Sequence, residues 1–98
     1  MDKEVVWTLS AAADLKAIVE YIFRDSEFYA TAVARELLAA APSLTTFPEG
    51  GRMVPEYEHP TVRQIIVRRY RLVYRVRPER VEVLRIIHGA QQMPPTVQ

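Results

Sequence analysis

The chain has 98 residues, 49% of them hydrophobic, with 13 lysines and arginines against 12 acidic residues and no cysteine. That length holds one core and so one domain over residues 1–98. The missing cysteines exclude disulfides and thiolate chemistry, and with only His59 and His88 neither a histidine metal cluster nor a cofactor site is expected.

The near-neutral total conceals a division. Residues 1–61 carry five basic and ten acidic side chains, whereas Val62–His88 carry eight arginines, no lysine and two glutamates. Uneven charge is most often a solvated face; the sharper reading is a sheet that meets an anionic partner. The amino terminus lacks a basic segment followed by a long apolar run, and no apolar stretch nears the roughly 20 residues that span a bilayer. A soluble, cytoplasmic protein with no membrane partner is expected.

In chain order, Val5–Leu9 is β-branched and aromatic, with Val5, Trp7 and Leu9 on one face, which predicts a first strand. Ser10 reads as a helix N-cap, with Asp14 near the positive end of the dipole, and a helix follows over Ala11–Arg24 with the apolar stripe Leu15, Ile18, Val19, Ile22. A second helix starts at Glu27 and repeats helical spacing through Ala30, Val33, Leu37, Leu38 and Ala41. Pro42 should end or kink it, yet Leu44 continues the spacing, so that boundary stays open. The alanines let the two helices pack closely as an αα-hairpin. Residues 47–61 hold two of the three glycines and three of the seven prolines and form a loop, pinned by Phe47, Met53, Val54 and Tyr57.

Alternation with period two predicts strands over Arg63–Val67, Tyr70–Val76 and Val81–His88. Arg77-Pro78-Glu79-Arg80 is a turn. A two-residue hairpin would set Val76 opposite Val81, Tyr74 opposite Val83 and Tyr70 opposite Ile87 on an apolar face. On the other, basic face it would set Arg75 opposite Glu82, Val73 opposite Leu84, Arg71 opposite Ile86 and Arg69 opposite His88. Gly89–Gln98, with two prolines and no charge, reads as a flexible tail. The expected fold is α+β, ordered β-α-α-β-β-β, with the helical hairpin on one face of a mainly antiparallel four-stranded sheet.

Order and residues together resemble the RelE/ParE superfamily of type II toxin–antitoxin toxins, also described as plasmid stabilisation proteins. The resemblance is carried by Ala13-Asp14-Leu15, Ile18 and Tyr21-Ile22; by Leu44, Phe47-Pro48 and Gly51-Arg52; by Arg63; by Tyr70-Arg71-Leu72-Val73-Tyr74, its most specific block; and by Leu84 through His88-Gly89. It implies a toxin silenced by a cognate antitoxin whose carboxy-terminal segment folds onto it, in a hetero-oligomer. One branch cuts mRNA on the ribosome; the other is described as inhibiting DNA gyrase without nuclease chemistry.

RNA cleavage through the 2′-hydroxyl needs a proton acceptor, help for the leaving oxygen, and cations for the phosphate. The nuclease branch is thought to use lysines, arginines and a carboxy-terminal tyrosine. Here Arg71 stands at the arginine of the Tyr-Arg-Leu-Val-Tyr block and Arg63 at the first lysine position. The second lysine position falls on Gln64 or Ile65, Ala90 or Gln91 replaces the basic residue after His88-Gly89, and no tyrosine follows Tyr74. Arginine stays protonated and is a poor base. His88 could transfer a proton near neutrality, although a strand-end histidine bonded to backbone is the plainer reading; His59 has a weaker claim.

Tyr70 and Tyr74 belong to the apolar face. Arg52 and Glu56 read as a local ion pair, as do Arg75 and Glu82. The candidate target contacts are therefore Arg63, Arg69, Arg71 and His88. The first reading is a toxin that acts by binding DNA gyrase or another large target through the basic sheet face and the tail, and leans away from an enzyme; the alternative is a ribosome-dependent mRNA endonuclease using Arg63, Arg71 and His88. A third is an inactive relative that retains only antitoxin binding.

Overall fold

Thr8, not Ser10, starts the first helix. In the computed structural model, which describes residues 3–57 and 59–91, the Thr8 hydroxyl accepts from the Ala11 N–H (3.1 Å) and donates to the Val83 carbonyl (2.9 Å). One side chain thus caps the helix and ties it to the last strand, an advantage that Ser10, two residues further on, does not have. The first strand, β1, accordingly stops at Trp7 (Glu4–Trp7), α1 runs Leu9–Phe23, and Leu9 is 91% exposed at its start.

Helix α2 spans Glu27–Thr46, with Ser26 as N-cap, and Pro42 lies inside it. An internal proline costs about 3 kcal/mol, but continuation places Leu44, 2% exposed, in the core beside Leu72 and Tyr74. Burying a leucine returns about 1.5–3 kcal/mol, so the helix carries on. Leu38, expected on the buried stripe, is half exposed.

A 3-10 turn, Pro48–Gly50, leads to a short strand, β2 (Arg52–Met53), then β3 (Val62–Val67), β4 (Tyr70–Val76) and β5 (Arg80–His88). The sheet has five strands rather than the expected four, in the order β1-β5-β4-β3-β2. Only β1, parallel to β5, departs from antiparallel pairing. The β3–β4 connection is a two-residue turn with Arg68 at φ 54°, a conformation that costs a non-glycine residue about 1–3 kcal/mol. Its guanidinium pairs with Glu36 and lies over the Tyr29 ring, 5.2 Å from the centroid, holding the turn against α2.

The β4–β5 hairpin begins in the expected register, with Val76 opposite Val81, Arg75 opposite Glu82 and Tyr74 opposite Val83, and then shifts. Beyond Tyr74, Val73 faces Arg85, Leu72 faces Ile86, Arg71 faces Ile87 and Tyr70 faces His88. Leu84 is the extra residue of a bulge. The slip reverses the faces of everything after it: Ile86 packs with Ile22, Val33 and Leu37 under the helices, while Ile87 goes to the far side.

That far side is not a solvated basic face. Val54 from the loop, 1% exposed, packs on Val62, Val73, Leu84 and Ile87, with Tyr57 against them. The sheet therefore has a core on each face, the larger under α1 and α2 and the smaller under the loop. Gly89 is held by its N–H donating to the Arg69 carbonyl (2.7 Å); the expected tail from Gly89 onward otherwise lies beyond Gln91, outside the described residues.

Tyr74 fastens the loop to the larger core. It is fully buried, its hydroxyl donates to the Pro48 carbonyl (2.8 Å) and accepts from the Gly51 N–H (3.0 Å), and burial pushes its pKa up. A Cβ on Gly51 would lie 2.5 Å from that hydroxyl and 2.6 Å from the Gln64 backbone carbonyl. Gly51→Ala should therefore destabilise by about 1–3 kcal/mol through overpacking, lowering the melting temperature by several degrees. An unchanged melting curve would mean that the loop is not clamped at this point.

Candidate functional site

Of the candidate target contacts Arg63, Arg69, Arg71 and His88, the first and third are engaged within the fold, as are most of the eight arginines of Val62–His88. Arg71 is 6% exposed. Its guanidinium makes a bidentate pair with Glu56 (Nη2 to Oε1 2.8 Å, Nη1 to Oε2 2.9 Å), and Nε donates to Gln64 Oε1 (2.8 Å). Nη1 also points at the Gln91 carbonyl (3.4 Å). The bond to Glu56 outweighs desolvation and raises the Arg71 pKa further, so the group is a permanent cation. Glu56, which the sequence pairs with Arg52, instead carries its loop onto Arg71. Beside it, burial and then the Glu56 charge push the Tyr57 hydroxyl up.

Arg63 lies on the other face, opposite Tyr74. Its side chain donates to the carbonyls of Gly51 (2.9 Å), Pro60 (3.2 Å) and Glu49 (3.3 Å), so it holds both ends of the loop. Arg85 pairs with Asp14 (Nε to Oδ2 2.7 Å, Nη2 to Oδ1 3.0 Å), whose Oδ2 also accepts from the Ile86 N–H (2.9 Å). Asp14 thus stitches α1 to the stretch of β5 that β1 leaves uncovered, rather than serving the helix dipole. The sequence signal was its place in Ala13-Asp14-Leu15; nothing in the spacing pointed to Arg85.

Glu82 takes both Arg77 (3.1 Å) and Arg80 (2.9 Å), although Arg75 is its cross-strand neighbour. Arg69 and Arg75 have no ion-pair partner among the described residues, and Arg69 is exposed at the β3–β4 turn.

His88 faces Tyr70 across the hairpin, ring to ring in a T-shaped contact of 5.9 Å. Its Nδ1 accepts from the Ala90 N–H (3.3 Å) and its backbone N–H donates to Gln91 Oε1 (3.1 Å). It opens on a cleft of about 340 Å³ between α1 and β5, with Asp14, Ile18, Tyr70, Arg85 and Gln91 in the walls. The expected neighbourhood of Arg69, Arg71 and His88 is not formed, because the bulge turns His88 away from the face of Arg71. His59 closes its own turn, Nδ1 meeting the Thr61 hydroxyl (2.7 Å). Among the described residues no group of three His, Asp or Glu could hold a metal ion, and no helix is long and apolar enough to cross a membrane.

The family described as "ParE toxin of type II toxin-antitoxin system, parDE" matches residues 5–93. This chain belongs to that family. It is 39% identical over 89 residues to "Toxin RelE2" of Caulobacter vibrioides, a match covering 90% of this chain and 97% of that protein. A solved structure titled "Chromosomal ParDE TA system from P. aeruginosa" superposes with a TM-score of 0.73 at 26% identity, covering 88% of this chain and 95% of that one. The chain is a type II toxin of the RelE/ParE superfamily with an α+β, ParE-like fold, and the family implies a cognate antitoxin as its partner.

Arg71→Ala should cost about 2–4 kcal/mol, somewhat below the figure for a fully buried broken pair because Glu56 keeps partial access to water. Arg69→Ala should stay within about 0.5 kcal/mol. Urea unfolding of the two variants checks this; equal midpoints would return Arg71 to the surface.

Glu82 supplies a pH signature. Burial raises its pKa, but the hydrogen bonds and charges of Arg77 and Arg80 outweigh that and leave it below its usual value of 4.5. A depressed carboxylate adds stability that is complete above the unfolded-state pKa and is lost as pH falls through the folded one. Glu82→Gln should therefore flatten the fall in melting temperature below about pH 4.5. An acid limb as steep as that of the parent would show that Glu82 has no such role.

Proposed function

We propose that this toxin arrests growth by binding DNA gyrase rather than by cutting RNA, and that its antitoxin silences it within a hetero-oligomer. The observation that carries this reading is that Arg63, Arg71 and His88, the residues a nuclease would need, do not converge. Arg71 lies on the loop face, locked to Glu56. Arg63 and His88 lie on the helix face opposite Tyr74 and Tyr70, two strands apart and about 13 Å apart along β4 at 3.3 Å per residue. A general base, a leaving-group acid and phosphate-binding cations must meet within hydrogen-bond reach of one substrate. Four carboxylates also pair with five of the eight arginines of Val62–His88, which lowers the charge offered to a phosphate backbone, whose binding rests on unpaired cations.

For the antitoxin, an apolar groove of about 470 Å³ runs between β1 and the helices, lined by Trp7, Leu15, Val19 and Leu38 with Lys16 and Glu20 at its rim. A carboxy-terminal segment that is disordered alone and folds on binding suits such a groove.

The name of the Caulobacter relative, a RelE-type toxin, favours a second reading in which Arg63, Arg71 and His88 serve an mRNA endonuclease. Expression without the antitoxin separates the two. Gyrase binding should produce filamentation and DNA-damage signalling, and purified protein should inhibit supercoiling or trap cleaved DNA while programmed ribosomes keep their message intact in toe-printing. Cleavage at the ribosomal A site that is lost in His88→Ala, an exposed and foldable substitution, would overturn the gyrase reading.

A further inference from the structure

The outward side of α2 is used by neither core. Its buried stripe is Ala30, Val33, Leu37, Ala41 and Leu44. On roughly the opposite side of the helix is a hollow of about 590 Å³ lined by Glu27, Phe28, Thr31, Ala32 and Arg35. These residues form two ridges of the i, i+4 type, Glu27–Thr31–Arg35 and Phe28–Ala32, with the hollow between them. Phe28 is 86% exposed, and neither Glu27 nor Arg35 has an ion-pair partner among the described residues. The next position of the second ridge, Glu36, is already neutralised by Arg68.

From this surface we infer that a second copy of the chain docks on α2, with a two-fold axis at Thr31. The carboxylate of Glu27 and the guanidinium of Arg35 stand four residues to either side of Thr31, so a two-fold axis there that sets the two helices antiparallel brings each acid against the other copy's base. A two-fold contact of this kind uses one patch twice, and the patch must complement itself; acid and base equidistant from a small central residue meet that condition. Packing the i, i+4 ridges of both helices together gives a crossing near −50°. Glu27 and Arg35 each lie about 6 Å along the axis from Thr31 at 1.5 Å per residue, within side-chain reach across such a crossing. Ala32 allows close approach, and the exposed Phe28 ring enters the facing hollow. The surface shares no lining residue with the Trp7–Leu38 groove, and the inference stands whichever target the toxin acts on.

Charge exchange tests it, read by sedimentation velocity of the purified full chain over a concentration series and of its complex with antitoxin. The parent should show a concentration-dependent dimer. Glu27→Arg and Arg35→Glu should each weaken dimerisation by about tenfold or more through like-charge contact. The double variant, Glu27→Arg with Arg35→Glu, should restore it, since the two-fold pairs are re-formed with reversed sign. Phe28→Ala, which leaves charge unchanged, should also weaken the dimer. A parent that stays monomeric at every concentration, single variants that dimerise like the parent, or a double variant no better than either single would each overturn the inference.

Discussion

One unpaired residue, Leu84, where β5 bulges opposite Val73 and Tyr74, decides which side chains of the last strand meet the helices and which meet the loop. A strand without it would send Ile87 under α1 and α2 and leave Arg71 beside Ile86. With it, Leu84 and Ile87 both reach the loop side and close a second core with Val54, Val62 and Val73, while Ile86 fills the first. The bulge lets two sets of apolar residues in one strand serve two cores, because side chains alternate with a period of two and one inserted residue reverses that alternation.

The second core explains the arginines. A loop that lies over a sheet brings backbone carbonyls and a carboxylate with it, and each needs a donor once water is excluded. Arg63 satisfies three carbonyls from one side, and Arg71 accepts the carboxylate of Glu56 from the other. Arginine suits both tasks because its planar fork presents several donors and keeps its charge when partly buried. Asp14 does the same work from the acidic side, closing an edge of β5 that β1 is too short to cover. The separation of charge along the sequence is thus in part a separation of partners: acids of the first half are paired with arginines of the second at Asp14–Arg85, Glu36–Arg68 and Glu56–Arg71.

The architecture was legible because its signals are local and periodic. The α1 stripe, the alternation in β4 and the Arg77–Arg80 turn each specify an element without knowledge of the rest, and the first three hairpin pairs follow from the turn. What could not be read depends on contacts between distant segments. The Thr8 cap is favoured over Ser10 by a carbonyl 75 residues away. Pro42 is tolerated because Leu44 has a core to enter, and the bulge is favoured because Val54 and Tyr57 wait on the far side. Arg71 had the pattern of a solvated strand residue, and only the path of the loop takes it out of water. The candidate site was therefore legible as a list of residues and not as a place.

A superfamily whose members include both gyrase poisons and ribosome-dependent nucleases needs a scaffold in which the same strands can carry different surface chemistry, since fold alone does not fix function. Here the shared Tyr-Arg-Leu-Val-Tyr block is spent on the scaffold: Tyr74 anchors Pro48 and Gly51, Leu72 and Val73 enter opposite cores, and Arg71 holds Glu56. A block so committed marks the fold more securely than the activity. Discrimination between targets must then come from positions the two cores leave free, and among the described residues these include Arg69 and Arg75, the exposed Met53 and Ile66 of the sheet, His88 at its cleft and the exposed side chains of the helices. A binding toxin can make use of such scattered positions, because an interface sums contacts over a wide area. A nuclease cannot, because its groups must act on one phosphate at once.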